Sequence, residues 1–164
     1  MTSITTFTGA ISAGLARPNR FRVILPGDSQ GSVGILCYQC TFPQRSLKTF
    51  DVMQRGVPYR VPFTQDYSPV SFNFYALPDY NTRQYFDEWH KDVILSLPMN
   101  VMGTYDRYVK NIKIQSLDRM GYVRYRIKLY EAWPVTIGDV DLNYSSNTYQ
   151  SIAVTLSYKY WKEE

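Results

Sequence analysis

An alternating run near the end of the sequence limits the possible folds more than any other feature. Between Tyr149 and Trp161, every second position of the central run is apolar: Ile152, Val154, Leu156, Tyr158 and Tyr160. A period of two predicts a β-strand with one buried face. At about 3.3 Å per residue it would extend roughly 40 Å, whereas most strands have about five or six residues. A strand this long either crosses a complete sandwich or extends into a sheet shared with neighbours.

Shorter runs of alternation predict more strands, over residues 21–25, 34–42, 70–76, 107–115 and 122–130. One α-helix is predicted over residues 81–95, with Asn81 as its N-cap and an apolar face formed by Phe86, Trp89 and Val93. The 16% aromatic content, which includes 15 Tyr, also favours β-structure. We therefore expect a mainly β fold, an antiparallel β-barrel or sandwich with one flanking α-helix, in a single domain over residues 1–164.

Residues 45–67 alternate without forming a core-like face. Their apolar residues stand among polar ones, and Gly56, Pro58 and Pro62 interrupt the run. This pattern predicts a hairpin arm that protrudes from the domain. A long arm on a small domain usually serves contact with another molecule.

The N-terminal segment, residues 1–19, predicts a short and weak helix. Its first 16 residues carry no charged side chain, and the apolar ones recur at helical spacings of three and four: Ile4, Phe7, Ile11 and Leu15. Gly9 and Gly14 weaken the helix, and Pro18 ends the segment. A marginal helix needs a surface to order it. That surface belongs either to the chain's own core or to a neighbouring subunit, and both remain open.

Positive charge is placed unevenly along the chain. Residues 1–50 hold five Arg and Lys against Asp28 alone, which already equals the net charge of +4. Within the strand predicted over 122–130, Arg124, Arg126 and Lys128 share one face and are flanked by tyrosines. Such a face suits single-stranded nucleic acid, but a basic strand turned to solvent, to a sheath or to a neighbouring subunit gives the same pattern.

The residues needed for catalysis are not apparent in the sequence. His90, the single histidine, is expected on the polar side of the helix without a nucleophile beside it. Asp139 and Asp141 share a strand face but lack further ligands for a cation. We therefore expect neither an enzyme nor a bound metal or cofactor.

The two cysteines, Cys37 and Cys40, are interpreted as small residues of a buried strand. A spacing of three would place them on opposite faces, about 10 Å apart, which excludes a disulfide between them. The sequence also lacks the ~18 consecutive apolar residues of a membrane span and the pattern of a signal peptide. We expect a soluble protein without stable membrane association.

Several patches of the chain together resemble the tail tube protein of contractile-tailed bacteriophages. The C-terminal patches are Trp133-Pro134, Ile137-Gly138, Asp141, Ser146-Asn147, Val154-Thr155-Leu156 and Tyr160-Trp161. The others are Ala16-Arg17-Pro18-Asn19 leading into Phe21 and Val23, Cys40-Thr41 running to Pro43, and Arg83-Gln84 with Phe86 and Trp89.

The resemblance implies a subunit that forms hexameric rings, which stack into a hollow tube inside a contractile sheath. It implies a baseplate initiator, a tape-measure protein and DNA passing through the lumen without specific binding. The tube would belong to the virion tail and be assembled in the bacterial host cytoplasm. By analogy, subunit and ring contacts are expected at Arg17, Asn19, Phe50, Val52, Val57 and Tyr59.

Three other functions remain open at this stage. The inner tube of a phage-derived injection particle would have a nearly identical sequence pattern, and a baseplate tube initiator is a variant of the same class. From a different class, a nucleic-acid-binding β-barrel would use the face of Arg124, Arg126 and Lys128. A channel for DNA should carry acidic or neutral groups, so the direction in which this face points is the open question.

Overall fold

The computed structural model describes residues 4–11, 14–28, 31–96 and 99–164. Its helices are α1 (Ile4–Ile11), α2 (Asn81–Val93) and α3 (Tyr105–Tyr108). Its strands are β1 (Phe21–Ile24), β2 (Cys37–Cys40), β3 (Arg45–Gln54), β4 (Val57–Tyr67), β5 (Val70–Tyr75), β6 (Ile94–Ser96), β7 (Val101–Met102), β8 (Lys110–Leu117), β9 (Val123–Ile137), β10 (Ser151–Ser157) and β11 (Tyr160–Glu163). Pairing is antiparallel throughout these strands, which confirms the predicted fold class.

Two sheets share the 15-residue strand β9. The first half of β9 pairs with β8 and β11, and β8 pairs with β1; we call this the first sheet. The second half pairs with β10, which continues to β5 and β2; we call this the second sheet. At the junction Glu131 has a φ of 54° and the register to β8 shifts. A bulge of this kind bends a strand, so one strand can belong to both sheets.

The core lies between the two sheets and is closed on one side by α2. The first sheet contributes Ile112, Ile114, Ile127 and Leu129, the second contributes Phe72, Phe74, Ile152, Val154 and Leu156, and α2 contributes Phe86 and Trp89. Each of these side chains stabilises the fold by about 1.5–3 kcal/mol through burial. The indole Nε1 of Trp89 donates a hydrogen bond to the carbonyl of Tyr108, 2.7 Å away, so α2 is also fixed by a polar contact.

The single long strand predicted over 149–161 is wrong, because the chain breaks between β10 and β11. The hydroxyl of Tyr158 donates to the carbonyl of Ser68 (2.8 Å), and the Lys159 N–H donates to the carbonyl of Tyr130 (3.1 Å). After the break the phase changes, and Trp161 is buried where the pattern predicted Tyr160. The overlong strand of this fold is β9.

Four predicted boundaries differ from the structure. Asn81 lies inside α2 and is not its cap; the N-cap position is Tyr80, and the Asp79 carboxylate accepts the Asn81 N–H at 3.3 Å. The helix ends at Val93 because Ile94 begins β6. The strand predicted over 34–42 is shortened by a 3₁₀ turn over residues 34–36, and the strand predicted over 107–115 begins only at Lys110, after α3.

The expectation that Cys37 and Cys40 lie on opposite faces is also wrong. A bulge in β2 pairs Cys37 with Phe74 and Cys40 with Phe72, so both cysteines share the face that packs on the core. The bulge turns Tyr38 and Gln39 together to the outside. Both cysteines are free thiols.

The predicted N-terminal helix is present as α1. The side chain of Phe7 lies outside the described residues, as do Pro98 and part of the predicted turn over 26–31. Among the described residues every helix is too short or too polar to cross a membrane.

Candidate assembly surfaces

The arm, which is the hairpin β3–β4 over residues 45–67, carries an apolar row on one face. The register pairs Phe50 with Val61, Val52 with Tyr59 and Gln54 with Val57, and the rings of Phe50 and Phe63 meet edge to face at 5.8 Å. Direct cross-strand partners point to the same side of a sheet. The four arm residues expected to make contacts therefore lie on one face: Phe50, Val52, Val57 and Tyr59.

The apolar face of the arm is open to solvent. The exposed fraction is 48% for Phe50, 40% for Val52, 53% for Val57 and 55% for Tyr59, whereas core side chains are almost fully covered. The opposite face holds the ion pair between Asp51 and Arg60, with 3.4 Å between Oδ1 and Nε. Contiguous exposed apolar side chains of this kind mark a surface that binds another molecule.

The N-terminal segment forms a second exposed surface. Ile4 is 84% and Leu15 73% exposed, and both Arg17 and Asn19 are exposed. The segment runs beside the β8–β9 turn. There the Arg119 guanidinium packs so close to Gly14 that a side chain at this position would contact it at 3.2–3.4 Å. The sequence left two surfaces that could order this segment, the chain's own core and a neighbouring subunit. Because Ile4 and Leu15 are exposed, the structure favours the neighbouring subunit.

The outer face of the first sheet is basic, and we call it the basic face. It consists of Arg22, Ile24, Lys113, Gln115, Arg126, Lys128, Tyr130, Tyr160 and Lys162, together with Glu164 at its edge. Five cations and one carboxylate give a surplus of four positive charges, the same as the net charge of the chain. Arg126 and Lys128 thus belong to this face as predicted from the alternation, while Ile127 and Leu129 are buried behind them.

Arg124 differs from its two neighbours because its charge is paired locally. Its Nε donates to Asp118 Oδ2 at 2.9 Å. Although desolvation acts to raise the pKa of Asp118, hydrogen bonds from the backbone N–H groups of Tyr122 and Met120 and from Arg124 lower it overall. Arg124 therefore closes the β8–β9 turn instead of adding free charge to the basic face.

The outer face of the second sheet is uncharged, and we call it the neutral face. Its polar and small residues are Gln39, Ser71, Asn73, Thr136, Ser151, Ala153, Thr155 and Ser157, and its aromatic residues are Tyr38, Tyr75 and Trp133. The amide of Asn73 donates to Gln39 Oε1 at 3.1 Å, which satisfies polar groups within the face. Sequence reasoning missed this surface, although small polar residues alternate with the core residues in β5 and β10. The outer faces of two packed sheets point in opposite directions, so the neutral and basic faces are turned away from each other.

The polar groups of the described residues form no arrangement that suggests catalysis. No group of three His, Cys, Asp or Glu within the described part of the chain could hold a metal ion. Glu131 accepts hydrogen bonds from the Tyr105 hydroxyl at 2.5 Å and from Lys159. These bonds lower the pKa of Glu131, and the same contact raises the pKa of Tyr105 to about 12. The cluster joins α3 to the β9 junction.

Several solved structures share this fold. The cap of the anti-feeding prophage, the AFP tube terminating cap, superposes with a TM-score of 0.70 at 14% identity, covering 92% of this chain and 91% of that chain. A chain from the sheath–tube complex of the PVC extracellular contractile injection system also gives a TM-score of 0.70, at 16% identity with 96% and 97% coverage. Hcp1 from Flavobacterium johnsoniae gives 0.51 at 11% identity, with 88% and 94% coverage.

No curated protein matches the chain significantly. The family model described as "Phage tail tube protein" matches residues 13–164, nearly the whole chain. The resemblance inferred from the sequence patches is thereby confirmed: this chain belongs to the phage tail tube protein family.

Proposed function

We propose that this protein is a non-enzymatic structural subunit that forms hexameric rings, and that the rings stack into a hollow tube inside a contractile sheath. The observation that carries the proposal is the exposed apolar face of the arm, an extended hairpin in which every residue from 47 to 65 is exposed. A monomer would leave this surface in contact with water. Stacking covers it.

We assign contacts between subunits and rings to Phe50, Val52, Val57 and Tyr59 of the arm and to Arg17 and Asn19 of the N-terminal segment. The two groups lie on different parts of the chain. This is expected if each subunit contacts one neighbour through its arm and another neighbour through its N-terminal segment. Alanine at Tyr59 or Arg17 should impair assembly without unfolding the subunit, because both side chains are exposed.

We assign the lining of the channel to the neutral face. A wall with free lysines would bind the phosphates of passing DNA and slow it, whereas Ser, Thr, Asn and Ala side chains offer no net charge for phosphates to pair with. The basic face then points away from the channel, because the two faces are turned apart. Arg126 and Lys128 would lie on the outer side of the wall.

The remaining partners follow from the same role. A baseplate initiator would start stacking, a tape-measure protein would set the length, and contraction of the sheath would push the tube through the host envelope. DNA would pass through the lumen without specific binding. The tube would be a component of the virion tail, assembled in the cytoplasm of the bacterial host.

A second candidate is the inner tube of a DNA-free injection particle. It is favoured by the similarity in fold to chains from the anti-feeding prophage and PVC particles. A sheath gene beside capsid and terminase genes would support the phage tail, and its presence without them would support the injection particle.

Electron microscopy of the purified protein tests the tube. Stacked rings with a central channel are the expected result, with or without a tube fragment added as initiator. A persistent monomer in both conditions would contradict the proposal. Strong, salt-sensitive binding of oligonucleotides by that monomer would instead support a nucleic-acid-binding β-barrel.

A further inference from the structure

The basic face holds a row of like charges that folding alone does not explain. In the strand register, Lys113 of β8 lies directly opposite Lys128 of β9, and Lys128 lies directly opposite Lys162 of β11. Like charges directly opposite on neighbouring strands destabilise a sheet. Glu164 offsets part of this repulsion, with 3.0 Å from its Oε2 to the Nζ of Lys113 and 3.5 Å from its Oε1 to the Nζ of Lys128.

The backbone spacing of the row matches carboxylates about 5 Å apart. Neighbouring strands lie about 4.8 Å apart, so the three lysines follow one another at that interval across the sheet. Carboxylates on one face of a helix, three and four residues apart, repeat at about 5–6 Å. Glu164 already demonstrates this recognition within the chain, since one carboxylate bridges two of the lysines.

The aromatic residues of the basic face argue against single-stranded nucleic acid. Base binding needs open ring faces on which bases stack. Here the rings of Tyr130 and Tyr160 stack on each other, with centroids 4.7 Å apart and planes 13° apart. Lys128 lies 4.7 Å from the Tyr130 ring and Lys162 lies 5.6 Å from the Tyr160 ring. The ring faces are therefore occupied by each other and by ammonium groups.

We propose that the basic face is the docking surface for an acidic protein surface on the outer side of the tube wall, with Lys113, Lys128 and Lys162 pairing with its carboxylates. The inference rests on the proposed function, in which the sheath surrounds the tube. It adds the chemistry of that contact: clustered Asp and Glu on the sheath side, and an attraction that salt weakens.

Fluorescent poly-L-glutamate is the probe for the chemistry, measured by anisotropy against the wild type and two matched variants. Lys162→Gln removes an exposed lysine from the row, and Lys91→Gln removes an exposed lysine from α2. Lys162→Gln should weaken binding about two- to fivefold, the range for one exposed ion pair, while Lys91→Gln leaves it unchanged. The double variant Lys128→Gln with Lys162→Gln should lose more than either single variant.

Equal losses for Lys162→Gln and Lys91→Gln, or no binding by the wild type, would overturn the proposal. A single-stranded or duplex oligonucleotide that binds the row more tightly than poly-L-glutamate would overturn it as well. Sheath subunit of the same particle, added to preassembled tubes, then distinguishes the source: it should coat wild-type and Lys91→Gln tubes and fail on the double variant. Failure of rings to stack counts against the tube, whereas intact tubes that bind the sheath equally with and without the lysines count against this inference alone.

Discussion

At the scale of single residues, Asp28 organises the turn between β1 and β2. Its carboxylate accepts hydrogen bonds from the N–H groups of Ser32, Val33 and Gly34, each at 2.9 Å. Desolvation acts to raise its pKa, but these bonds outweigh it and lower the pKa below the usual value. The folded pKa is thus below the unfolded one. The stability from Asp28 is present above about pH 4, the unfolded pKa, and is lost as the pH falls through the folded pKa.

Asp28→Ala should therefore lower the free energy of unfolding by about 1–2 kcal/mol at pH 7, because three N–H groups lose their acceptor. The difference from the wild type should shrink as the pH is lowered through the acid range. Denaturant unfolding at several pH values measures this. Asp139→Ala, which removes an exposed carboxylate, is the control and should change stability by less than about 0.5 kcal/mol. A pH-independent difference for Asp28→Ala would contradict the assignment.

The two cysteines should differ in reactivity although they share a face. The interaction with the Cys40 thiol, together with burial, raises the pKa of Cys37 well above its usual range, and the same interaction lowers the pKa of Cys40. Iodoacetamide should label Cys40 before Cys37 near pH 8, as followed by mass spectrometry. Cys37→Ala should shift the pH of half-maximal labelling of Cys40 upward, because the interaction that lowers the pKa of Cys40 is lost. Labelling of both cysteines at one rate would disprove the difference.

At the scale of elements, the arm is the clearest test of assembly. Phe50→Ser should abolish or severely reduce tube formation, because it removes apolar area from the face proposed to be covered by a neighbour. Met53→Ser is the matched control, since Met53 is exposed on the other face of the same strand. Sedimentation and electron microscopy measure tube formation, and circular dichroism checks the fold. Equal behaviour of the two variants would show that the apolar face has no special role.

The arm also shows how far a sequence pattern reaches. The alternation predicted the hairpin and the residues of its apolar face, because in a two-stranded ribbon the period of two and the turn at Gly56 determine which side chains point together. It failed at Cys37 and at Tyr158, where a bulge and a strand break change the phase. These changes are set by partners distant in sequence, such as Phe74 and Ser68, which a local pattern does not contain. The basic face was only partly foreseen, because Arg22, Lys113 and Lys162 join it from other strands.

At the scale of the whole molecule, the two outer faces should differ in accessibility once tubes form. Ser71→Cys places a thiol on the neutral face, and a maleimide linked to a protein too large for the channel should label it in the free subunit and not in the middle of a tube. Lys162→Cys, on the basic face that is proposed to point outward, should remain reactive in bare tubes. Parent protein provides the background from the native cysteines. Reaction of Ser71→Cys along the whole tube would contradict its place in the channel.

Because β9 runs through both sheets, the two layers of each subunit are joined by a covalent backbone as well as by packed side chains. In a tube made of such subunits, the inner layer could slide against the outer one only by deforming a strand held by hydrogen bonds on both sides. A push delivered to the outside of the wall would reach the inside through that strand. The shared strand would therefore make the wall of the proposed tube stiff in shear, the mechanical property a tube needs if it is to be driven end-on through a barrier.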